Sequence, residues 1–103
     1  MTRAEVLAWL AARRPSPPDA LRTLLEHTAA EAEPSSPLPL PDQLAQLGRR
    51  LLARVSGRPE GGRELARELL AADAFITYAF EAQAEVDAAG LAALAERIAG
   101  SER

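Results

Sequence analysis

Four polar side chains recur at intervals of four residues through the longest apolar run of the chain, LLAADAFITYAFEAQAE at positions 69–85. They are Asp73, Thr77, Glu81 and Glu85. Glu81 and Glu85, together with Asp87, form an acidic cluster with the oxygen ligands that Mg²⁺ prefers. At about 100° per residue, however, a row with this spacing drifts slowly around a helix and stays near its solvent side. We therefore favour a solvated stripe over a magnesium site, with Asp73 at the edge of the apolar face.

Other metal or nucleophile chemistry has little support in the residue types. The chain has no cysteine and a single histidine, His27, which lacks a Glu-x-x-His motif. Each serine falls at a predicted helix cap, in a loop or in the tail, where a structural role explains it. We predict no catalytic residue, no metal and no cofactor, and thus a protein that is not an enzyme. The open alternative is a small-molecule or Mg-dependent enzyme that uses the acids of helix 62–86.

Arginines concentrate in one part of the chain. Residues 42–63 carry five arginines against two acids, a net charge of +3, whereas residues 64–103 carry three against eight, a net charge of −5. The candidates for anion binding are Arg49, Arg50, Arg54 and Arg58. Arg50 and Arg54 share a helix face and could hold a phosphate or a nucleic-acid backbone. Because the whole chain is acidic and no aromatic residue lies among these arginines, we expect this basic helix to meet an acidic one instead, for example through Arg54 and Glu68.

The elements that must position these side chains are helices. Alanine and leucine dominate the apolar residues and only four of the 103 residues are aromatic, a composition that suits helices rather than strands. Apolar spacings of three and four residues, with cap signals at Thr2, Ser16 and Asp42, predict the helices. Their expected ranges are about 2–14, 16–33, 42–56, 62–86 and 87–100. The predicted fold is a small all-α bundle of four or five helices in a single domain over 1–103.

The segment 33–41 interrupts this helical pattern with four prolines in eight residues. We predict a proline-rich extended strap between helices two and three, close to polyproline II, with Leu38 and Leu40 turned towards the bundle. Residues 34–37 also match the PxxP pattern of polyproline recognition peptides. No basic residue flanks this match, so the strap is the favoured interpretation.

The width of the apolar arc on helix 62–86 suggests a function in association. A helix that is apolar over nearly half its circumference needs two or more neighbours, which the chain or a second copy could supply. We predict a non-enzymatic interaction or scaffold module that self-associates, as a homodimer, with a further protein partner left unidentified. The interface candidates are Trp9, Phe75, Tyr78 and Val86. A nucleic-acid- or phosphate-binding regulatory protein that uses the arginines of helix 42–56 is the alternative.

The expected location is the cytoplasm. No stretch of the sequence approaches the roughly 20 apolar residues of a membrane span, so no membrane partner is expected. The N-terminus has an acid and arginines around a short apolar stretch and lacks the uninterrupted apolar region of a signal peptide. The lack of cysteine is compatible with a reducing compartment.

Overall fold

A computed structural model describes residues 1–57 and 62–100, and this part of the chain is helical. Its five α-helices are α1 (Arg3–Ala11), α2 (Asp19–Ala30), α3 (Leu40–Ser56), α4 (Arg63–Asp87) and α5 (Leu91–Gly100). One turn of 3-10 helix, Ala88–Gly90, joins α4 to α5. The prediction of an all-α fold is confirmed. None of the described helices combines the length and the apolar character that a membrane span requires.

The predicted capping box starts α1. The Thr2 hydroxyl oxygen accepts a hydrogen bond from the Glu5 amide at 3.1 Å, and the Glu5 carboxylate accepts one from the Thr2 amide at 2.9 Å. The hydrogen bond from the Thr2 backbone N–H, and to a smaller extent the one with the Thr2 side chain, lower the pKa of the Glu5 carboxyl below its usual value. The helix ends at Ala11, short of the predicted Arg14. Three prolines follow by position 18, and proline cannot continue the hydrogen-bond ladder of a helix.

Prolines rather than polar side chains precede α2 and α3. Pro18 and Pro39 are the residues that precede α2 and α3. Both have an extended backbone, and neither has a side chain that can cap the first turn. A helix can begin beside proline because its φ is already suitable and it has no N–H to leave unpaired. The predicted caps, Ser16 and Asp42, are therefore wrong. Asp42 lies inside α3, where its carboxylate accepts a hydrogen bond from Arg97 of α5 at 2.8 Å.

The core is centred on the contact between α3 and α4, the most extensive of the helix pairings. Small residues let the two backbones come close, since a Cβ placed on Gly48 would lie 3.0 Å from the Ala72 carbonyl oxygen. Leu44 and Leu51 of α3 and Phe75 of α4 are fully buried. Around this pair, α1 packs on α2, α2 packs on α4, and α5 contacts both α3 and α4. Most of the apolar arc of α4 is thus covered by the chain itself.

The connection between α2 and α3 pairs with the N-terminus. The Arg3 amide donates to the Pro34 carbonyl oxygen at 2.8 Å, and the Ser36 amide donates to that of Met1 at 3.1 Å. The Met1 ammonium group donates in turn to the Ser36 carbonyl oxygen at 2.8 Å. The Arg3 guanidinium donates to the carbonyl oxygen of Ala32, near the end of α2. These bonds attach the start of α1 to the segment that leads into α3.

We expect Gly48→Ala to destabilise the fold, although alanine is the better helix former. The added methyl group would lie 3.0 Å from both the Ala72 carbonyl oxygen and the Ile76 Cδ1 atom, so α3 and α4 would have to move apart. This packing cost should exceed the helix-propensity gain of about 1 kcal/mol. The net loss in the free energy of unfolding should be about 1–2 kcal/mol, measured by urea unfolding followed through the fluorescence of the sole tryptophan, Trp9.

Gly57→Ala is the matched control for this substitution. Gly57 has a negative φ of −81° at the end of α3, and its added Cβ would meet nothing closer than 3.8 Å. Alanine there should leave stability unchanged or raise it by up to about 1 kcal/mol. Equal effects at the two glycines would contradict a special role for the close approach at Gly48.

Candidate functional site

The apolar side of α4 is mostly core. Its buried residues are Ala71, Ala72, Phe75, Ala79 and Ala82. Phe75, predicted from the sequence as an interface candidate, is 0% exposed. Phe75 is a core residue because α4 passes between its neighbouring helices at this point, and the ring has no surface to offer to another chain.

A groove remains open between α3 and α4, which we call the α3–α4 groove. It has a volume of about 340 Å³ and is lined by Gly48, Arg49, Leu52, Leu69, Ala72, Asp73, Ile76 and Ile98. Leu52 from α3 and Leu69 from α4 are 40% and 44% exposed, while Gly48 and Ala72 are the buried part of the lining. The close approach of the two helices thus leaves a shallow apolar depression with leucines on both sides.

Two opposite charges accompany these leucines. Arg49 belongs to α3 and Asp73 to α4, and both line the α3–α4 groove. Within the part of the chain that the structure describes, neither takes part in an ion pair. Asp73 is exposed at the edge of the apolar arc, so the carboxylate in the long apolar run is not buried.

The candidate anion-binding arginines do not converge on one site. Arg49 faces the α3–α4 groove, whereas Arg50, one residue further along the helix, lines a different cavity next to α1 and the connection between α2 and α3. Arg54 is exposed, and Arg58 lies outside the described residues. Arg54 forms no ion pair with an acid of residues 1–57 or 62–100, so its predicted contact with Glu68 is not present.

Two interface candidates, Trp9 and Tyr78, meet each other. Their rings form an edge-to-face pair with centroids 5.8 Å apart, and both side chains are half-buried. Arg13 lies over the Trp9 ring, with its guanidinium carbon 3.6 Å from the centroid. The same guanidinium lies 3.1 Å from a Glu81 oxygen and 2.6 Å from a Glu85 oxygen. This aromatic and ionic cluster attaches α1 to α4 inside one chain.

Sequence reasoning missed Arg13, although the signals were present. Glu81 and Glu85 are four residues apart and share one side of α4, and Arg13 follows Trp9 at the same spacing, just beyond the end of α1. Each pair alone is typical of an ordinary surface pattern. Only the tertiary structure shows that the arginine beyond the end of α1 meets the two acids of α4.

These contacts also account for the acids proposed for metal binding. Glu81 and Glu85 hold Arg13, and the Asp87 carboxylate accepts a hydrogen bond from the Ala89 amide at 3.1 Å. His27 is exposed and lies 3.1 Å from Glu31. In the described ranges no group of three or more His, Asp or Glu side chains could hold a metal ion. Glu81 and Glu85 therefore attach α4 to Arg13, and Asp87 caps the 3-10 turn that follows α4.

The remaining interface candidate lies apart from the α3–α4 groove. Val86 is 81% exposed near the end of α4, and it is not among the residues that line the groove. Leu70, 54% exposed, is likewise outside the lining. Single exposed apolar side chains of this kind are common on protein surfaces and do not by themselves mark an interface.

Comparisons with protein-family models, with curated protein sequences and with solved structures found no match for this chain. The α3–α4 groove combines exposed leucines with opposite charges that form no ion pair in the described part of the chain. Apolar patches rimmed by polar residues are typical of surfaces that bind another protein.

The only tyrosine of the chain gives a direct test of the aromatic and ionic cluster. Burial, and then the charge of Glu81, raise the pKa of Tyr78 above its ordinary value of 10.0, with Arg13 opposing them. The tyrosinate absorbance of the native protein should therefore have a midpoint above pH 10, and Glu81→Gln should lower it. The chain has no lysine, so no lysine amine titrates in this range.

The raised pKa of Tyr78 also determines how the free energy of unfolding changes at alkaline pH. Above pH 10 the unfolded chain loses the tyrosine proton first, so the free energy of unfolding should fall as the pH rises through the native pKa. Tyr78→Phe should remove this part of the pH dependence, and Glu96→Gln, on the exposed side of α5, should leave the midpoint unchanged. A native midpoint at or below 10 would show that Tyr78 is not held as described.

Proposed function

We propose that the chain is a non-enzymatic helical interaction module that self-associates as a twofold dimer through the α3–α4 groove. The observation that carries the proposal is that each helix of the groove contributes an exposed leucine and a charge, and that the two charges have opposite signs. In a twofold interface, residue i of one copy contacts residue j of the other, and the reverse contact forms as well. A groove that bears Arg49 on one helix and Asp73 on the other is therefore complementary to itself.

The energies of these contacts indicate a weak dimer. Full burial of a leucine side chain contributes about 1.5–3 kcal/mol, and Leu52 and Leu69 have less than half of their surface left to bury. Two Arg49–Asp73 ion pairs at the edge of the interface would add at most about 1 kcal/mol each. Because association also costs translational and rotational freedom, we expect dimers that dissociate on dilution.

The proposal includes a role as an extended strap for residues 33–39, the part of the predicted strap that precedes α3. Its first residues share main-chain hydrogen bonds with Met1 and Arg3, and the Gln43 side-chain amide donates to the Leu38 carbonyl oxygen at 2.8 Å. These bonds support a strap that holds α1 against α3. They also occupy backbone groups of residues 34–37 that a partner reading the PxxP pattern would have to reach.

A cytoplasmic location belongs to the same proposal. It is supported by the lack of cysteine in the sequence, since a protein that folds without disulfides suits a reducing compartment. A role in binding nucleic acid has weaker support, because Arg49 and Arg50 line different cavities and no aromatic side chain accompanies them.

Leu69→Glu should abolish self-association while leaving the fold intact. The side chain is nearly half exposed in the single chain, so the fold tolerates a charge there, but a dimer would have to bury that charge without a partner. Sedimentation equilibrium should show a concentration-dependent dimer for the natural chain and a monomer for the variant. Leu70→Glu, the matched control, changes the adjacent exposed leucine outside the groove and should leave the dimer in place.

Exchanging the two charges tests the geometry of the dimer. Arg49→Asp alone would set two carboxylates against each other across the interface, and Asp73→Arg alone would set two guanidinium groups together. Each single variant should weaken the dimer by about 1–2 kcal/mol, and the double variant should recover most of that loss. A natural chain that stays monomeric at high concentration would contradict the proposed dimer. Single and double variants that dimerise equally well would contradict only the pairing of Arg49 with Asp73.

A further inference from the structure

A second cavity lies between α1, α2, α3 and the start of the proline-rich segment, apart from the α3–α4 groove. Its volume is about 280 Å³, at the small end of ligand sites. One part of the lining is polar and comes from Arg3, Glu33, Ser35, Ser36, Gln43, Gln46 and Arg50. The other part is apolar and includes Val6, Ala29, Ala32, Leu38 and Leu47. The cavity therefore has a polar region and an apolar region in a space that suits one small molecule.

Two arginines from different helices give the polar region its charge. The Arg3 guanidinium is held by the Ala32 carbonyl oxygen through Nε and one terminal nitrogen, which leaves its other terminal nitrogen with hydrogens to donate. Arg50 takes part in no ion pair with the described residues. A planar guanidinium is well suited to binding a carboxylate, so these two side chains define the chemistry of the head group.

Hydrogen bonds within the chain hold part of the cavity wall. Gln43 is nearly buried at 9% exposure and donates to the Leu38 carbonyl oxygen at 2.8 Å. The Ser36 hydroxyl oxygen accepts a hydrogen bond from the Leu38 amide at 3.2 Å, and the Ser36 carbonyl oxygen accepts one from the Met1 ammonium group. A lining held by hydrogen bonds costs little further ordering when a ligand enters.

The remaining charge in the lining limits the charge of the ligand. Glu33 lies at the exposed edge of the cavity and opposes the two arginines. An anion with several charges would meet this carboxylate, whereas a single carboxylate can bind between the arginines and leave Glu33 in water. The apolar part of the lining, in which Ala32 and Leu38 keep exposed surface, then favours a ligand with a hydrocarbon portion.

We propose that this cavity binds a small organic monocarboxylate with a short apolar tail. The head group lies against Arg3 and Arg50, and the tail lies against the apolar part of the lining, where Ala32 and Leu38 keep exposed surface. This site does not depend on the proposed dimer, because the α3–α4 groove has none of these residues in its lining.

Titration calorimetry with hexanoate as the probe tests the site. Hexanoate should bind saturably, whereas hexylamine, with the same tail and the opposite charge, and inorganic phosphate, with charge and no tail, should bind far more weakly. Arg50→Gln should weaken hexanoate binding about tenfold or more, the loss expected for a hydrogen bond between charged groups. Arg54→Gln is the matched control, an exposed arginine one turn further along the same helix, and should bind hexanoate as the natural chain does.

Amide chemical shifts on hexanoate addition locate the bound molecule. They should change for Glu33, Ser35, Ser36 and Leu38 and for Gln46 and Leu47, and urea unfolding should show that Arg50→Gln keeps its stability. Hexylamine or phosphate binding as tightly as hexanoate would overturn the ligand class. Hexanoate that fails to bind, that binds Arg50→Gln equally well, or that shifts Leu52 and Leu69 instead would overturn the site.

Discussion

The close approach of α3 and α4 at Gly48 is the constraint on which the other packing depends. With the position of a Gly48 Cβ only 3.0 Å from the Ala72 carbonyl oxygen, the two helices lie closer together than a larger residue at position 48 would allow without a shift. This distance brings Leu44, Leu51 and Phe75 into one fully buried core despite the small number of aromatic residues. It also explains the α3–α4 groove. Where two helices meet through small residues, their larger side chains lie on either side of the contact and leave a depression between them.

The second contact that organises the bundle is ionic and aromatic. Arg13 extends over the Trp9 ring to reach Glu81 and Glu85, and Trp9 packs edge-to-face on Tyr78. The two acids lie on the rim of α4, where a surface ion pair alone would contribute little. Here one largely buried guanidinium contacts two carboxylates and a ring, so the conformational entropy of a single side chain is lost once while three contacts form.

The geometry of α3 separates two chemical roles that its sequence places side by side. Arg49 and Arg50 are adjacent in the chain but point about 100° apart around the helix. One accompanies the leucines of the α3–α4 groove, and the other enters the polar cavity with Arg3. What looks in the sequence like a single basic patch is thus divided between a proposed protein interface and a proposed carboxylate site.

The sequence by itself determined the helical class and the capping of the first helix. The capping box of Thr2 and Glu5 and the all-α class follow from neighbours within a few residues, and such local preferences act before any tertiary contact forms. The burial of Phe75, the exposure of Leu52, the partner of Arg13 and the separation of Arg49 from Arg50 were decided only by the tertiary structure. Each depends on which helix lies against which face, and a wide apolar arc permits several such arrangements. The backbone approach at Gly48 selects one of them, and with it what stays open to other molecules.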